Sequence, residues 1–302
     1  MTILCTGSVA LDTTTTPFKR VERILGGSAS YFALAASLFH PTAIVSAVGG
    51  DFPQKYWDLL CERGIDLSCV QRKKDEKTMF FDSSFGYDLH GRKANKLELN
   101  VFEDFVPDIS ETLAKAEFVY LGTLLPSVQK QVLLETPRKK FAFMDTIEYY
   151  IQNDKRGLEQ VLSEVDGVVL NDVEARMLCG VPQIIKAGKK LLDYGMKLAI
   201  IKKGEHGSMV FSDDGNVLPF PAVPLEEIVD PTGAGDSFAG GFVGHIARCG
   251  GKLDERTIKQ AIAYANVMGS FAVEKFGVDG LKRSNAEVEK RFEDYKRMIS
   301  VY

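Results

Sequence analysis

The residues with the most chemical promise are Gly233-Ala234-Gly235-Asp236, which follow Val229-Asp230-Pro231-Thr232 and run straight into a small-residue segment ending near Cys249. A loop without bulky side chains that leads into a helix exposes several backbone N–H groups. The helix dipole adds positive potential there, which makes an anion hole. Asp236, in the first turn, stands beside the place a phosphate would take and can accept a proton from an attacking hydroxyl. An aspartate there also complements the dipole with no chemistry at all. Gly240, Gly241 and Gly244 argue for more than an ordinary helix. Each costs about 1 kcal/mol relative to alanine, which implies close approach of another backbone or a ligand. Two commoner glycine motifs do not fit. Gly233-x-Gly235 has Phe238 where a dinucleotide fold needs its third glycine, and Gly86 to Gly91 continues into Arg92-Lys93 where a P-loop needs Lys then Ser or Thr.

Such a loop must be held by something rigid, and the rest of the chain supplies it. Short apolar runs rich in β-branched residues predict strands at Ile3 to Val9, Ala43 to Val48, Phe118 to Leu121, Phe141 to Met144, Gly167 to Leu170 and Leu198 to Ile201. Amphipathic segments between them predict helices at Ser28 to Phe39, Gln54 to Arg63, Ser127 to Glu135, Lys155 to Glu164 and Val173 to Cys179, with Pro and Gly near the ends. The expected class is α/β, a central and mostly parallel sheet flanked by helices. Two segments break the rhythm: residues 12–25, with a threonine run, and residues 77–102, which alternate apolar and polar residues. Both read as antiparallel β excursions, either one small sheet forming a lid or independent surface hairpins. No repeat or Pro-, Gly- or Ser-rich linker interrupts the chain, so residues 1–302 are expected to form a single domain.

With 302 residues, 45% of them hydrophobic, the chain can bury a large core. A net charge of −4 leaves no electrostatic surplus for a polyanion, so nucleic acid is not an expected partner. Cys5, Cys61, Cys69, Cys179 and Cys249 include no C-x-x-C pair, and four histidines show no metal-ligand spacing. Reduced thiols, an N-terminus whose first cation is Lys19 and the lack of a long apolar run lead to the expectation of a cytoplasmic protein with no membrane partner.

The stretch from Asp230 to Val243 resembles, position for position, the C-terminal signature of the ribokinase-like (PfkB-type) carbohydrate kinases. The resemblance extends over nearly the whole chain and keeps the family's order: Gly7, Ser8 and Asp12; the Gly26-Gly27 turn into a helix; Val48-Gly49-x-Asp51; Asn171-x-x-Glu174; and Lys203-Gly204-x-x-Gly207. It implies a ribokinase-like fold with a lid and transfer of the γ-phosphoryl group of ATP, with Mg2+, to a hydroxyl of a sugar or sugar-like substrate. Gly233, Ala234 and Gly235 then form the anion hole, and Asp236 is the catalytic base. Asn171 and Glu174 would organise Mg2+ and the triphosphate, the metal through water, or else simply cap a helix as Ncap and N3.

The remaining assignments also follow from the resemblance. Gly204 and Gly207 belong to a loop against the nucleotide, with Asn266 on the same side. Lys202, where many relatives carry threonine, either touches a phosphate or is a solvated strand-end lysine. Asp12 would receive hydrogen bonds from a vicinal diol, with Gly26, Gly27, Ser28 and Tyr31 around the same substrate. The usual asparagine after the glycine turn is absent, Ser28-Ala29-Ser30-Tyr31 standing in its place, which bears on the identity of the substrate. Phe80, Phe81, Phe85 and Tyr87 would cover a sugar, stack on a base or pack within the lid. A K+ ion would be held mostly by carbonyls of Asp230, Thr232, Ala272, Lys275 and Gly277. Alternatively Asp230 caps the loop or pairs with a lysine. The open edge of a lid suggests a homodimer. A nucleoside kinase with the same machinery is the alternative to a sugar kinase, and a non-catalytic sensor of sugar or nucleotide is a more remote one.

Overall fold

The computed structural model describes residues 2–137 and 139–300. The chain opens with β1 (Ile3–Thr6), β2 (Ala10–Thr15), β3 (Arg20–Gly26), α1 (Ser28–Ala36), β4 (Thr42–Gly49), α2 (Gln54–Glu62) and β5 (Asp66–Lys73). A hairpin of β6 (Met79–Phe85) and β7 (Arg92–Glu98) precedes β8 (Phe118–Leu121), α3 (Pro126–Glu135), β9 (Phe141–Met144), α4 (Glu148–Asn153) and α5 (Lys155–Leu162). Then come β10 (Gly167–Asn171), α6 (Asp172–Cys179), α7 (Ile184–Leu192), β11 (Leu198–Lys202), β12 (Ser208–Ser212) and β13 (Val217–Phe220). The long helices α8 (Ala234–Arg248), α9 (Glu255–Ala272) and α10 (Asn285–Ile299) follow.

Nine strands form the main sheet in the order β13-β12-β11-β10-β9-β8-β1-β4-β5. Neighbours from β5 to β11 are parallel, while β12 runs antiparallel to both β11 and β13. Alternation along the strands sorts side chains to two cores. Phe118, Tyr120, Phe141 and Phe143 face the side of α1, α8 and α9, whereas Val119, Leu121, Ala142 and Met144 face α3, α5, α6 and α7. Both faces are covered, which is why these strands read as continuous apolar runs.

Helix α8 is wedged between α1 and α9, and its glycines are the means. A Cβ on Gly240 would lie 2.5 Å from the Phe32 carbonyl oxygen, and one on Gly241 would lie 2.9 Å from that of Tyr264. One on Gly244 would meet Phe39 at 3.1 Å. Neighbouring helices, not a ligand, demand these small residues.

Two expectations need correction. The first strand stops at Thr6 rather than Val9, because Gly7 and Ser8 leave the sheet to meet the start of α1. Ser8 N–H donates to Ser28 Oγ and Ser28 N–H to Ser8 Oγ, each at 3.2 Å, and Ser46 Oγ donates to the Gly7 carbonyl at 2.7 Å. The chain then crosses into a second sheet of order β3-β2-β6-β7. This sheet is not purely antiparallel: its two hairpins are joined by a parallel pairing of β2 with β6 that sets Asp12 opposite Phe81. The two excursions therefore make one lid. No helix among the described residues is long and apolar enough to cross a membrane.

Candidate active site

Gly233 is the N-cap of α8 and takes the left-handed conformation, φ 75°. A Cβ there would also fall 2.3 Å from the Tyr31 ring, so glycine is required on both counts. Among the described residues no side chain caps this helix end, and neither Gly235 N–H nor Asp236 N–H finds a backbone acceptor. Those free donors and the dipole make the loop receptive to an anion. The hydroxyls of Thr232 and Ser237, buried beside it, are likewise without partners among the described residues.

Asp236 projects from the first turn of α8. Burial pushes its carboxyl up to about 6, nearby Asp145 adds to the rise, and Lys202 and Arg92 oppose it. A carboxylate tuned towards neutral pH is suited to accepting a proton. Lys202 ends β11, and its ammonium meets Asp145 Oδ2 at 2.8 Å, the two side chains being 15% and 6% exposed. Burial alone would lower the lysine's pKa, but Asp145 and Glu174 outweigh it and hold it above its ordinary value. Lys202 is thus not a solvated strand-end residue. Asn171 and Glu174 form a reciprocal cap of α6: Asn171 N–H donates to Glu174 Oε2 at 2.7 Å and Glu174 N–H to Asn171 Oδ1 at 2.8 Å. Burial, with Asp145 adding and Lys202 opposing, pushes Glu174 up to about 8.

At the other end of the site, Asp12 is buried on β2, its carboxyl pushed up to about 7 by burial while Arg92 opposes the rise and Asp230 adds to it. The Gly26 backbone lies directly on this carboxylate, since a Cβ there would fall 2.0 Å from Asp12 Oδ2. Gly27, at φ 89°, lies against the Ser8 carbonyl. Ser28 is occupied by its exchange with Ser8. Tyr31 is 1% exposed, packs its ring on Gly233 and has a hydroxyl without a partner, in the field of Asp230, Asp12 and Asp236.

Asp230 is fully buried, accepts from Thr232 N–H at 2.9 Å and from Gly277 N–H at 3.3 Å, and pairs with no lysine among the described residues. It does cap the loop. The Val273 carbonyl receives Val229 N–H and Asp230 N–H, so the segment after α9 that includes Ala272, Lys275 and Gly277 is tied to the loop; Lys275 itself is exposed. In the loop after β11, Gly204 has φ 57° and open space where a Cβ would stand. Gly207 is glycine because a Cβ would strike the Phe220 carbonyl at 1.9 Å. Asn266, 7% exposed, spends its amide on the Ile262 carbonyl of its own helix at 3.0 Å.

Sequence reasoning missed Asp145 and Arg92. Asp145 is the first polar residue past a strand that was expected, at its carboxyl end, which was the available signal. Arg92, whose presence excluded the P-loop, lies over the Phe81 ring at 4.8 Å on the lid and opposes the pKa rise of Asp12, Asp230 and Asp236. Of the lid aromatics, Phe80 packs against the body core, with Arg23 and Lys96 over its ring, and Tyr87 is 88% exposed. The lid tip reaches the nucleotide-side loop, where His90 Nε2 lies 3.1 Å from Glu205 Oε1.

The site thus joins a strand-end row of polar residues, a helix N-terminus with free backbone donors and a second, four-stranded sheet. The sequence pattern of the "pfkB family carbohydrate kinase" matches residues 3–283. A cytidine kinase of Thermococcus kodakarensis is 34% identical over 258 residues, covering 82% of this chain and 89% of that protein. A nucleoside kinase of Methanothermobacter thermautotrophicus is 30% identical over 290 residues, covering 92% and 88%. The crystal structure of the Methanocaldococcus jannaschii nucleoside kinase, an archaeal member of the ribokinase family, superimposes with a TM-score of 0.77 at 20% identity over 97% and 98% of the two chains. Kinases of this family transfer a phosphoryl group to an alcohol, using ATP with a divalent metal. The chain belongs to the pfkB family of carbohydrate kinases and is a kinase of a small sugar or nucleoside substrate.

Proposed function

We propose that the chain is a nucleoside kinase, with Asp236 as the general base. The observation that carries the chemistry is the convergence on Tyr31 and Gly233 of a base, Asp236, an uncapped helix N-terminus and a buried acceptor carboxylate, Asp12. The nucleoside acceptor is favoured over a free sugar by two relatives that are 30% or more identical over 82% and 92% of the chain, named for cytidine and for nucleosides. In this reading Asp12 accepts hydrogen bonds from the ribose diol, and Gly26 and Gly27 allow the backbone to approach it. The acceptor hydroxyl gives its proton to Asp236 while the amides of Gly233, Ala234 and Gly235 face the phosphoryl group in transfer. Asn171, Glu174, Gly204, Gly207 and Asn266 lie on the nucleotide side. Glu174, buried and with Oε1 unengaged, fits a water-mediated Mg2+, which when bound neutralises charge on the triphosphate. Purified protein with MgATP should convert cytidine, or another nucleoside in a panel, to its monophosphate, read by phosphorus NMR. Faster turnover of ribose, fructose or inositol than of every nucleoside would overturn the assignment.

Two finer features belong to the same reading. Asp230 has backbone donors but no cationic partner among the described residues, so K+ held by carbonyls of Thr232, Ala272, Lys275 and Gly277 suits it. Rates should rise when KCl replaces choline chloride at equal ionic strength; equal rates would remove the ion. The lid edge β7 is almost wholly exposed, with Leu97 52% exposed, which supports a homodimer through the lid. Light scattering should give twice 33.4 kDa, and a monomer mass at micromolar concentration would refute it.

A further inference from the structure

The ammonium of Lys202 has one protein partner among the described residues, Asp145 Oδ2 at 2.8 Å. An ammonium carries three N–H donors, so two lack an acceptor on a side chain only 15% exposed. What the side chain lies against shows where those donors are needed: a Cβ on Gly235 would come 2.9 Å from Nζ and 3.5 Å from Cε. The cation therefore rests on the backbone of the loop whose Gly235 and Asp236 N–H groups find no backbone acceptor among the described residues. Two amides and a full positive charge converge at the N-terminus of α8, an arrangement that an anion satisfies in both hydrogen bonds and charge. Asp145 is arranged to hold the lysine there, its Oδ1 fixed by Thr146 N–H at 2.8 Å and its Oδ2 on the ammonium.

We propose that Lys202 is a catalytic residue of this chain, its ammonium donating to a non-bridging oxygen of the phosphoryl group during transfer, with Asp145 as the residue that positions it. The assignment rests on the kinase reading above. In the step, the bond from the γ-phosphorus to the β,γ-bridging oxygen breaks and a bond to the acceptor oxygen forms. ADP departs with the electron pair, and the acceptor proton goes to Asp236. Lys202 neither gains nor loses a proton; it offsets charge on the oxygens of the transferring group, a contribution that peaks in the transition state.

The test compares wild type, Lys202→Met, Asp145→Asn and the double variant in kcat with the best acceptor and in Kd for a magnesium complex of a non-hydrolysable ATP analogue. Lys202→Met should lose about 100-fold or more in kcat, as removal of an oxyanion donor does, with less than about tenfold change in analogue Kd. Lys202→Ala should regain activity with ethylammonium but not with tetramethylammonium, which has no N–H to donate. Asp145→Asn should lose less, and the double variant should be no worse than Lys202→Met alone. Should Lys202→Met fail to fold because Asp145 is left buried and unpaired, the double variant must show the same kcat loss. A folded variant lacking Lys202 within about fivefold of wild-type kcat overturns the proposal. So does a loss confined to analogue Kd, which would make Lys202 an anchor for ATP. A wild type that phosphorylates neither nucleosides nor sugars overturns the kinase reading itself, and that result is seen before any variant is compared.

Discussion

One set of polar residues stands at the ends of central parallel strands: Asp145 just past β9, Asn171 at the end of β10 and Lys202 at the end of β11, the lysine reaching Gly235 at the N-terminus of α8. A second set hangs from the other sheet. Asp12 is on β2, Arg92 starts β7, and the lid is rooted by a non-glycine residue at positive φ, Arg23 at 50°, whose guanidinium pairs with Asp51 at 2.8 Å. In the first set Asp145 is buried and Asn171 and Lys202 partly so, on a sheet enclosed by two cores; in the second Asp12 is buried and Arg92 exposed, on a sheet built of hairpins. On the function proposed above, the common chemistry is placed on rigid scaffolding and the choice of acceptor on a part that can vary with little disturbance to the core.

The comparison can be broken most sharply at Asp236. Asp236→Asn should cost roughly 100-fold or more in turnover and leave nucleotide binding intact. Near-wild-type turnover would remove Asp236 as the base. The same variant should gain stability. Burial raises the folded-state pKa of Asp236 to about 6, so the stabilising protonated form is full below its unfolded value near 4 and is lost as pH rises through 6. At pH 8 the asparagine protein should therefore be more stable by about 1 to 2 kcal/mol, after discounting for water in the open site, and at pH 4 by almost nothing. Thermal melts at the two pH values decide this.

Asp12→Ala tests the acceptor side and should cost about 1.5 to 3 kcal/mol in kcat/KM for the acceptor, while the ATP Michaelis constant holds. Unchanged acceptor kinetics would make Asp12 a structural residue of the β2 and β3 turn. The smallest effect is a displacement on the pH axis. Both carboxylates must be ionised to act, so kcat/KM should fall with acid from about 7, set by Asp12, and again from about 6, set by Asp236. In Asp12→Asn only the lower limb should remain; a limb still near 7 would assign it to another group.

Much of this was legible because it is local. Strands β8 and β9 have the limits their apolar runs predict, and the Gly-Ala-Gly loop announces a helix N-terminus by composition alone. β5, β12 and β13 escaped because none carries a continuous apolar run: β5 and β13 are the sheet's edges and keep exposed residues, and β12 is a short strand of mixed residues between β11 and β13. The long helices α9 and α10 also lay beyond the elements anticipated. In the site, the composition of the loop before α8 pointed to Asp236, while Asn171, Glu174 and Asp12 were named only through the family's motifs.

Tertiary structure alone decided what those residues meet. Lys202 and Asp145 are 57 positions apart and become partners because β9, β10 and β11 are adjacent and parallel, which brings their carboxyl ends to one edge. Arg92 enters the field of Asp12 because β2 pairs with β6 and β7 follows as the next strand. Ser28 is taken up by Ser8, and Gly240 and Gly241 serve helix packing. Sequence carries propensity, periodicity and the covalent spacing within a motif, because these act over a few residues. Pairings between distant strands depend on which apolar faces are buried together, and they decide which charges are left unpaired to meet a ligand.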